Sequence, residues 1–161
     1  MQALMVKSGT RYRKATAAEV AEVAGYYARA EFNRQRPLLD NPENAVAALR
    51  GIYAGRDYEA FSVLFLDRRH HLLECVELFR GTIDGASVYP REVLKECLWR
   101  GSAALIIAHN HPSGTNEPSN ADVLITKRLQ DALAMIDVRL VDHLIIGGTG
   151  HWCSLAQLGM I

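Results

Sequence analysis

The chain has 161 residues, 49% of them hydrophobic, and its 18 Lys/Arg balance 18 Asp/Glu. That length suits one domain, and the apolar fraction suffices for a core without covalent staples. Cys75, Cys97 and Cys153 lie far apart with no C-x-x-C pair, so neither a disulfide framework nor a cysteine zinc ribbon is indicated, and a reducing cytoplasm fits best. No apolar leader and no run of about 18 apolar residues occurs, so no export signal or membrane span is expected. The charge is uneven, with nine Lys/Arg against five Asp/Glu in residues 1–56. This is a weak nucleic-acid footprint, short of the concentrated basic patch such binding uses, and a solvated surface is the plainer reading.

In chain order, residues 15–32 are alanine-rich, with Val20, Val23, Tyr27 and Ala30 at helical spacing around Gly25. They predict an amphipathic helix. The stretch "RPLLDNPENAVAALRGIYAG" supplies a turn at Asp40–Asn41–Pro42 and a short helix ending near Gly51 or Gly55. A boundary is expected here, between an N-terminal helical segment (1–56) and a compact domain (57–161). "FSVLFLD" (61–67) and "LLECVELF" (72–79) are apolar and β-prone on either side of "RRHH", which predicts a hairpin. "GTIDGAS" reads as a loop. "YPREVLKECLWRG" opens on Pro90 and closes on Gly101, with Val93, Leu94, Cys97 and Leu98 along one face, the pattern of a bounded helix. "SAALIIA" (102–108) is a continuous apolar run and predicts a strand buried on both faces.

A second helix is predicted over 119–136, with Asp122, Ile125, Leu129, Ala132, Leu133 and Ile136 along one stripe. "RLVDHLIIGG" (139–148) reads as a strand, and "WCSL" as a possible last one. Helices and strands thus alternate in the manner of an α/β or α+β fold, a sheet with helices on its faces.

Between the buried strand and the second helix lies "AHNHPSGTNEPSNAD" (108–122), with two histidines one residue apart and hardly an apolar side chain. Two readings compete. In the first, Ser119-x-x-Asp122 is a capping box and Pro118 and Gly114 only punctuate the loop. In the second, the segment holds a metal. Residues two apart in an extended segment project to one side, so His109 and His111 converge. Asp122 shares the apolar stripe of its helix, which aims a carboxylate inward, and an unpaired buried charge costs several kcal/mol. Two histidines and an aspartate around Zn2+ would supply the partner and leave a fourth position open, as in catalytic sites. This favours the metal reading.

The pattern His109-x-His111-x7-Ser119-x2-Asp122 resembles the JAMM (MPN+) metalloprotease signature. With "LFRGTIDGASVYPREV" before it and "DHLIIG" after it, the stretch closely resembles the bacterial RadC family from about Asp57 onward. The first 56 residues show no glycine-containing hairpin of the helix-hairpin-helix-like region usual in that family, so the likeness is to the short, prophage-type relatives. The resemblance implies an α/β (α+β) JAMM/MPN-like fold, a mixed sheet flanked by helices with cytidine-deaminase-like architecture. It implies zinc on His109, His111 and Asp122, an oxyanion contact from Ser119, and an upstream glutamate as base. Glu59, directly before the first apolar strand, fits that place best, with Glu74 and Glu77 as rivals.

The activity so implied is hydrolysis of an amide or isopeptide bond in a peptide or protein by metal-activated water. The alternative is a DNA-repair or recombination accessory, or a non-catalytic scaffold of the same fold. The letters "HNH" do not make an HNH nuclease, whose histidines are spread over a long ββα unit. Asn110 and Ser113 read as loop support. His70, His71, His143 and His151 read as ordinary, with His143 beside Asp142 a possible support to the ligands. Arg91 and Asp84 are candidates for the cleft wall.

Overall fold

The structure is a computed structural model and describes residues 4–8, 10–81, 88–148 and 150–161. The described elements run β1 (Met5–Ser8), β2 (Arg11–Lys14), α1 (Ala17–Gln35), α2 (Pro42–Tyr53), β3 (Ala60–Leu66), β4 (Leu72–Arg80), α3 (Pro90–Arg100), β5 (Ala104–Asn110), α4 (Asn120–Ala134), β6 (Arg139–Ile146) and β7 (Trp152–Ser154). Five strands form one mixed sheet in the order β4-β3-β5-β6-β7, in which only β5 and β6 run parallel. Helix α4 connects that parallel pair, as a crossover requires. No helix among the described residues is long and apolar enough to cross a membrane.

The period-2 alternation of the strands sorts the core into two layers. On one face Leu64 and Leu66 of β3, Ala104, Ile106 and Ala108 of β5 and Leu144 of β6 pack with Leu49, Ile52 and Tyr53 of α2. On the other, Phe61, Val63 and Phe65 of β3 and Leu105 and Ile107 of β5 pack with Val93 and Cys97 of α3 and Leu129 and Leu133 of α4. Every residue of β5 is buried, as the continuous run "SAALIIA" predicts, and so is every residue of β3. Packing does not break at residue 56, because α2 fills the same cluster as four strands of the sheet.

Three sequence expectations need correction. β1 and β2, an antiparallel ribbon with Met5 opposite Lys14, have no counterpart in the sequence reading. Among their described side chains Val6 is half-buried and the others are exposed, without clean alternation. Helix α1 does not bury the stripe expected of it: Val20, Val23 and Tyr27 are exposed, while Gly25 and Phe32 are buried. The cause is Gly25 itself, where an added Cβ would lie 2.7 Å from the Ile52 carbonyl oxygen. The two helices touch backbone to backbone at that point, and this sets the rotation of α1. In α3, Val93 and Cys97 are buried but Leu98 is 65% exposed.

Candidate metal centre

The site forms where β5 runs out. Alternation along β5 places His109 on the α4 face of the sheet and Asn110 on the α2 face, and the chain then turns at Pro112. His111 is pinned to β6, its N–H donating to the Ile146 carbonyl at 3.0 Å, and the Gly148 N–H donates to the Gly114 carbonyl at 2.8 Å. Gly147 permits this approach, since a Cβ there would lie 2.7 Å from the Gly114 oxygen. The loop therefore returns against the end of the sheet and enters α4 with Ser119 as its N-cap.

The capping box expected of Ser119 and Asp122 is present. The Asp122 N–H donates to Ser119 Oγ at 3.1 Å, and the Ser119 N–H and hydroxyl donate to Asp122 Oδ2 at 2.8 and 2.6 Å. Asp122 is buried, as its place on the apolar stripe requires. With Oδ2 occupied by the cap, Oδ1 faces His109 Nε2 at 3.2 Å. His109 Nε2 lies 2.9 Å from His111 Nε2, which is 3.8 Å from Asp122 Oδ2. Cap and ligand cluster are one construction.

These three side chains could hold a metal ion, and their chemistry fits one. A tetrahedral ion with bonds of about 2.0–2.1 Å keeps its ligand atoms about 3.3 Å apart, and the His109–His111 and His109–Oδ1 separations of 2.9 and 3.2 Å lie close to that value. His111 Nδ1 lies 3.2 Å from the Thr115 carbonyl oxygen. A carbonyl only accepts, so Nδ1 carries a hydrogen and Nε2 is the nitrogen that faces the centre. Burial, with His111 adding to it and Asp122 opposing, drives the His109 pKa down to about 4. His109 is therefore neutral near pH 7, the form that binds metals.

Glu59 stands beside this group. It lines an open cleft of about 650 Å³ with Asp57, Tyr58, Gly81, His111, Pro112, Ser113 and Thr115. Burial raises its pKa and Asp122 raises it further, against the pull of His111. Among the described residues its carboxylate has no ion pair. Asn110 holds its backbone on both sides, donating from Nδ2 to the Tyr58 carbonyl at 3.0 Å and accepting at Oδ1 from the Ala60 N–H at 2.8 Å. The asparagine between the two histidines, read from sequence as loop support, thus ties the candidate base to the candidate ligands.

The rivals of Glu59 are engaged elsewhere. Glu77 is enclosed by Arg56, Arg80 and Arg29, and Glu74 pairs with Arg100 at 2.8 Å. Ser113 lines the cleft. Arg91 pairs with Glu92 at the surface, and Asp84 lies outside the described residues. His70 and His71 sit at the β3–β4 turn and His151 is exposed, as expected. His143 is different. It is fully buried, and its Nε2 lies 2.9 Å from His109 Nδ1. Its Nδ1 lies 2.6 Å from the hydroxyl of Thr126, which donates to the Asp122 carbonyl at 2.6 Å. Thr126 went unnoticed in the sequence, although it stands one turn after Asp122 on the same inward stripe.

Residues 39–160 match the model of the family described as RadC-like JAB domain. The match takes in α2 and so begins ahead of Asp57, where the likeness was expected to start. A UPF0758 protein of Vibrio cholerae is 59% identical over 119 residues, 74% of each chain. One from Nitrosococcus oceani is 52% identical over 124 residues, 77% of this chain and 55% of its own. Another, from Stenotrophomonas maltophilia, is 46% identical over 149 residues, 92% of this chain and 63% of its own. This chain thus spans between half and three quarters of the length of these relatives. With a mixed sheet, helices on both faces and a His-His-Asp group at the end of β5, the chain belongs to the RadC-like JAB domain family.

Proposed function

We propose that this domain is a zinc-dependent hydrolase that cleaves an amide or isopeptide bond in a peptide or protein inside the cell. The observation that carries this reading is the placement of Glu59, without a counter-ion among the described residues, in an open cleft that also contains His111. Perturbed titratable groups in a cleft are the usual mark of a reactive site. His109, His111 and Asp122 would hold the metal, and zinc suits a donor set of two imidazoles and one carboxylate. When bound, such a metal lowers the pKa of water to about 7 and polarises a carbonyl.

The chain's own residues do the rest. Glu59 takes a proton from the water that attacks the carbonyl carbon. As the C–N bond breaks, Glu59 returns that proton to the leaving nitrogen, a service typically worth about 10²- to 10⁴-fold in rate. Asn110 keeps Glu59 in register with the ligands. Ser119 holds Asp122 by its cap, and its proposed hydrogen bond to the developing oxyanion requires its hydroxyl to turn away from Asp122 when substrate binds.

The test is metal analysis of the purified protein beside His109→Ala and Asp122→Ala, with peptide cleavage by wild type and Glu59→Gln. Stoichiometric zinc in the wild type, its loss in the first two variants and inactive but zinc-loaded Glu59→Gln are expected. No metal in the wild type, or full activity in Glu59→Gln, overturns the proposal. The exposed ribbon β1–β2 with Lys7, Arg11 and Lys14 favours the rival, an accessory role on nucleic acid. Retention on DNA with a steep salt slope, without cleavage of any peptide bond, would give that reading the lead.

A further inference from the structure

The chemistry proposed above leaves His143 and Thr126 without a task, yet they join three of the elements that build the site. His143 on β6 is 0% exposed and Thr126 on α4 is 1% exposed. Between them they connect His109 on β5 to the backbone of Asp122 on α4. A histidine ring can offer a metal either nitrogen, and the partner of the other nitrogen decides which.

Hydrogen positions follow from the one atom in this chain of contacts that can only accept. The Asp122 carbonyl oxygen carries no hydrogen, so the 2.6 Å contact with Thr126 Oγ1 requires the threonine hydroxyl to donate to it. That hydroxyl has one hydrogen. The 2.6 Å contact between Thr126 Oγ1 and His143 Nδ1 must therefore use a hydrogen from the imidazole. A neutral His143 with hydrogen on Nδ1 has a lone pair on Nε2. The 2.9 Å contact of that Nε2 with His109 Nδ1 then requires His109 to donate from Nδ1. Only Nε2 of His109 is left bare, and it is the nitrogen that faces His111 and Asp122. The opposite order would set the lone pairs of two oxygens against each other at 2.6 Å.

We propose that His143 and Thr126 are positioning residues that set the tautomer of His109, holding its hydrogen on Nδ1 so that Nε2 is ready for the metal before any metal arrives. Phe61 supports the arrangement, stacked on His109 and edge-on to His143. The hydroxyl that begins the relay also bonds the first turn of α4, so the helix that delivers Asp122 is tied to the ring state of His109. This inference rests on the reading of His109, His111 and Asp122 as a metal site, but it makes a statement about the metal-free chain that stands apart from that reading.

The test has two arms. In the first, nitrogen NMR of 15N-labelled imidazoles in the metal-free protein reads the tautomer directly. Wild-type His109 is expected with hydrogen on Nδ1, and His143→Leu, which removes the acceptor, with hydrogen moved in part or whole to Nε2. In the second, Zn2+ affinity is measured by competition with a chelating dye. His143→Leu is expected to lose about 10- to 100-fold in affinity, and His143→Gln, whose side-chain carbonyl can accept from Nδ1, to recover most of it. Thr126→Val keeps shape and removes the hydroxyl, so it serves if His143→Leu does not fold. It should loosen the tautomer of both histidines. An unchanged His109 tautomer in a folded His143→Leu or Thr126→Val protein overturns the inference. So does equal loss of Zn2+ affinity in the Gln and Leu variants. A wild type that binds no Zn2+ would instead defeat the metal reading and leave the NMR result standing.

Discussion

Glu59 and Glu77 belong to one hairpin, Glu59 just ahead of β3 and Glu77 on β4 opposite Ser62, and their surroundings could hardly differ more. The Glu77 side chain is 6% exposed, with Arg56 at 2.5 Å, Arg80 at 2.6 Å and Arg29 at 3.7 Å. Tyr58 lies against two of those guanidinium groups, 5.2 Å from Arg56 and 4.9 Å from Arg80. Glu59 has no such neighbours among the described residues. Its carboxyl is pushed upward by burial and by Asp122, and its backbone is held instead of its side chain. A glutamate saturated with cations is a fastening. One held by the backbone, with a free head in a cleft, can move protons.

Exchanging each carboxylate for its amide should separate the two roles. Glu59→Gln is expected to keep its fold and metal and to lose about 10²- to 10⁴-fold in turnover. Glu77→Gln is expected to keep its rate per folded molecule and to lose about 3 kcal/mol of stability in urea titration, because it leaves buried Arg56 without its charge partner. If turnover instead collapses in Glu77→Gln with stability intact, the assignment is reversed. Asn110→Ala probes the link between the sites. Leaving the Tyr58 carbonyl and Ala60 N–H unpaired should cost about 1–3 kcal/mol, and turnover should fall while metal content holds. Equal turnover would show that Glu59 needs no such holding.

The contrast between paired and unpaired groups also predicts a pH response of the metal-free protein. His109 and His143 are buried neutral, with His109 lowered from 6.5 to about 4 and His143 well below its ordinary value, burial being the chief cause in both. A lowered histidine pKa means that the unfolded chain binds the proton more readily. The stability these rings contribute is therefore whole above about pH 6.5 and declines as pH falls toward 4. Glu59, with its raised pKa, works in the opposite sense, contributing most at low pH and losing that contribution as pH rises through its folded value. Urea midpoints across pH 4–7, compared between wild type and His143→Leu, read the histidine share, and an identical pH dependence in the two would refute the burial of His143 as a neutral ring. The smallest effect concerns α1. Alanine outranks glycine in helices by about 1 kcal/mol, yet Gly25→Ala should destabilise, because the added carbon meets the Ile52 oxygen. A raised melting temperature would show that α1 can move away from α2 at little cost.

Much of the site was legible in the sequence. His109 and His111, two apart at the end of a strand, and Asp122, on the apolar stripe of the next helix, are statements of local periodicity, and local geometry carries them into space. The buried strand, the β3–β4 hairpin and the Ser119 cap are legible for the same reason. Glu59 was legible only by resemblance, since nothing in "DYEAF" distinguishes its carboxylate from those of Glu74 and Glu77. What separates them is the arginines around the latter two. Asn110 was read as loop support, His143 only as a support to the ligands, and Thr126 was passed over, because their partners are 17 to 52 residues away. A polar residue looks the same in sequence whether it faces water or completes a relay.

By itself the sequence determined the alternation of elements, the two-sided burial of β5 and the direction in which His109, His111 and Asp122 point, because each follows from the 2.0 and 3.6 periods of the backbone. The tertiary structure alone decided which glutamate stands free, which face α1 buries and which nitrogen of His109 is bare. Those depend on contacts between segments far apart in the chain: three arginines gathered on Glu77, a glycine pressed on a distant carbonyl, and a threonine with one hydrogen to give.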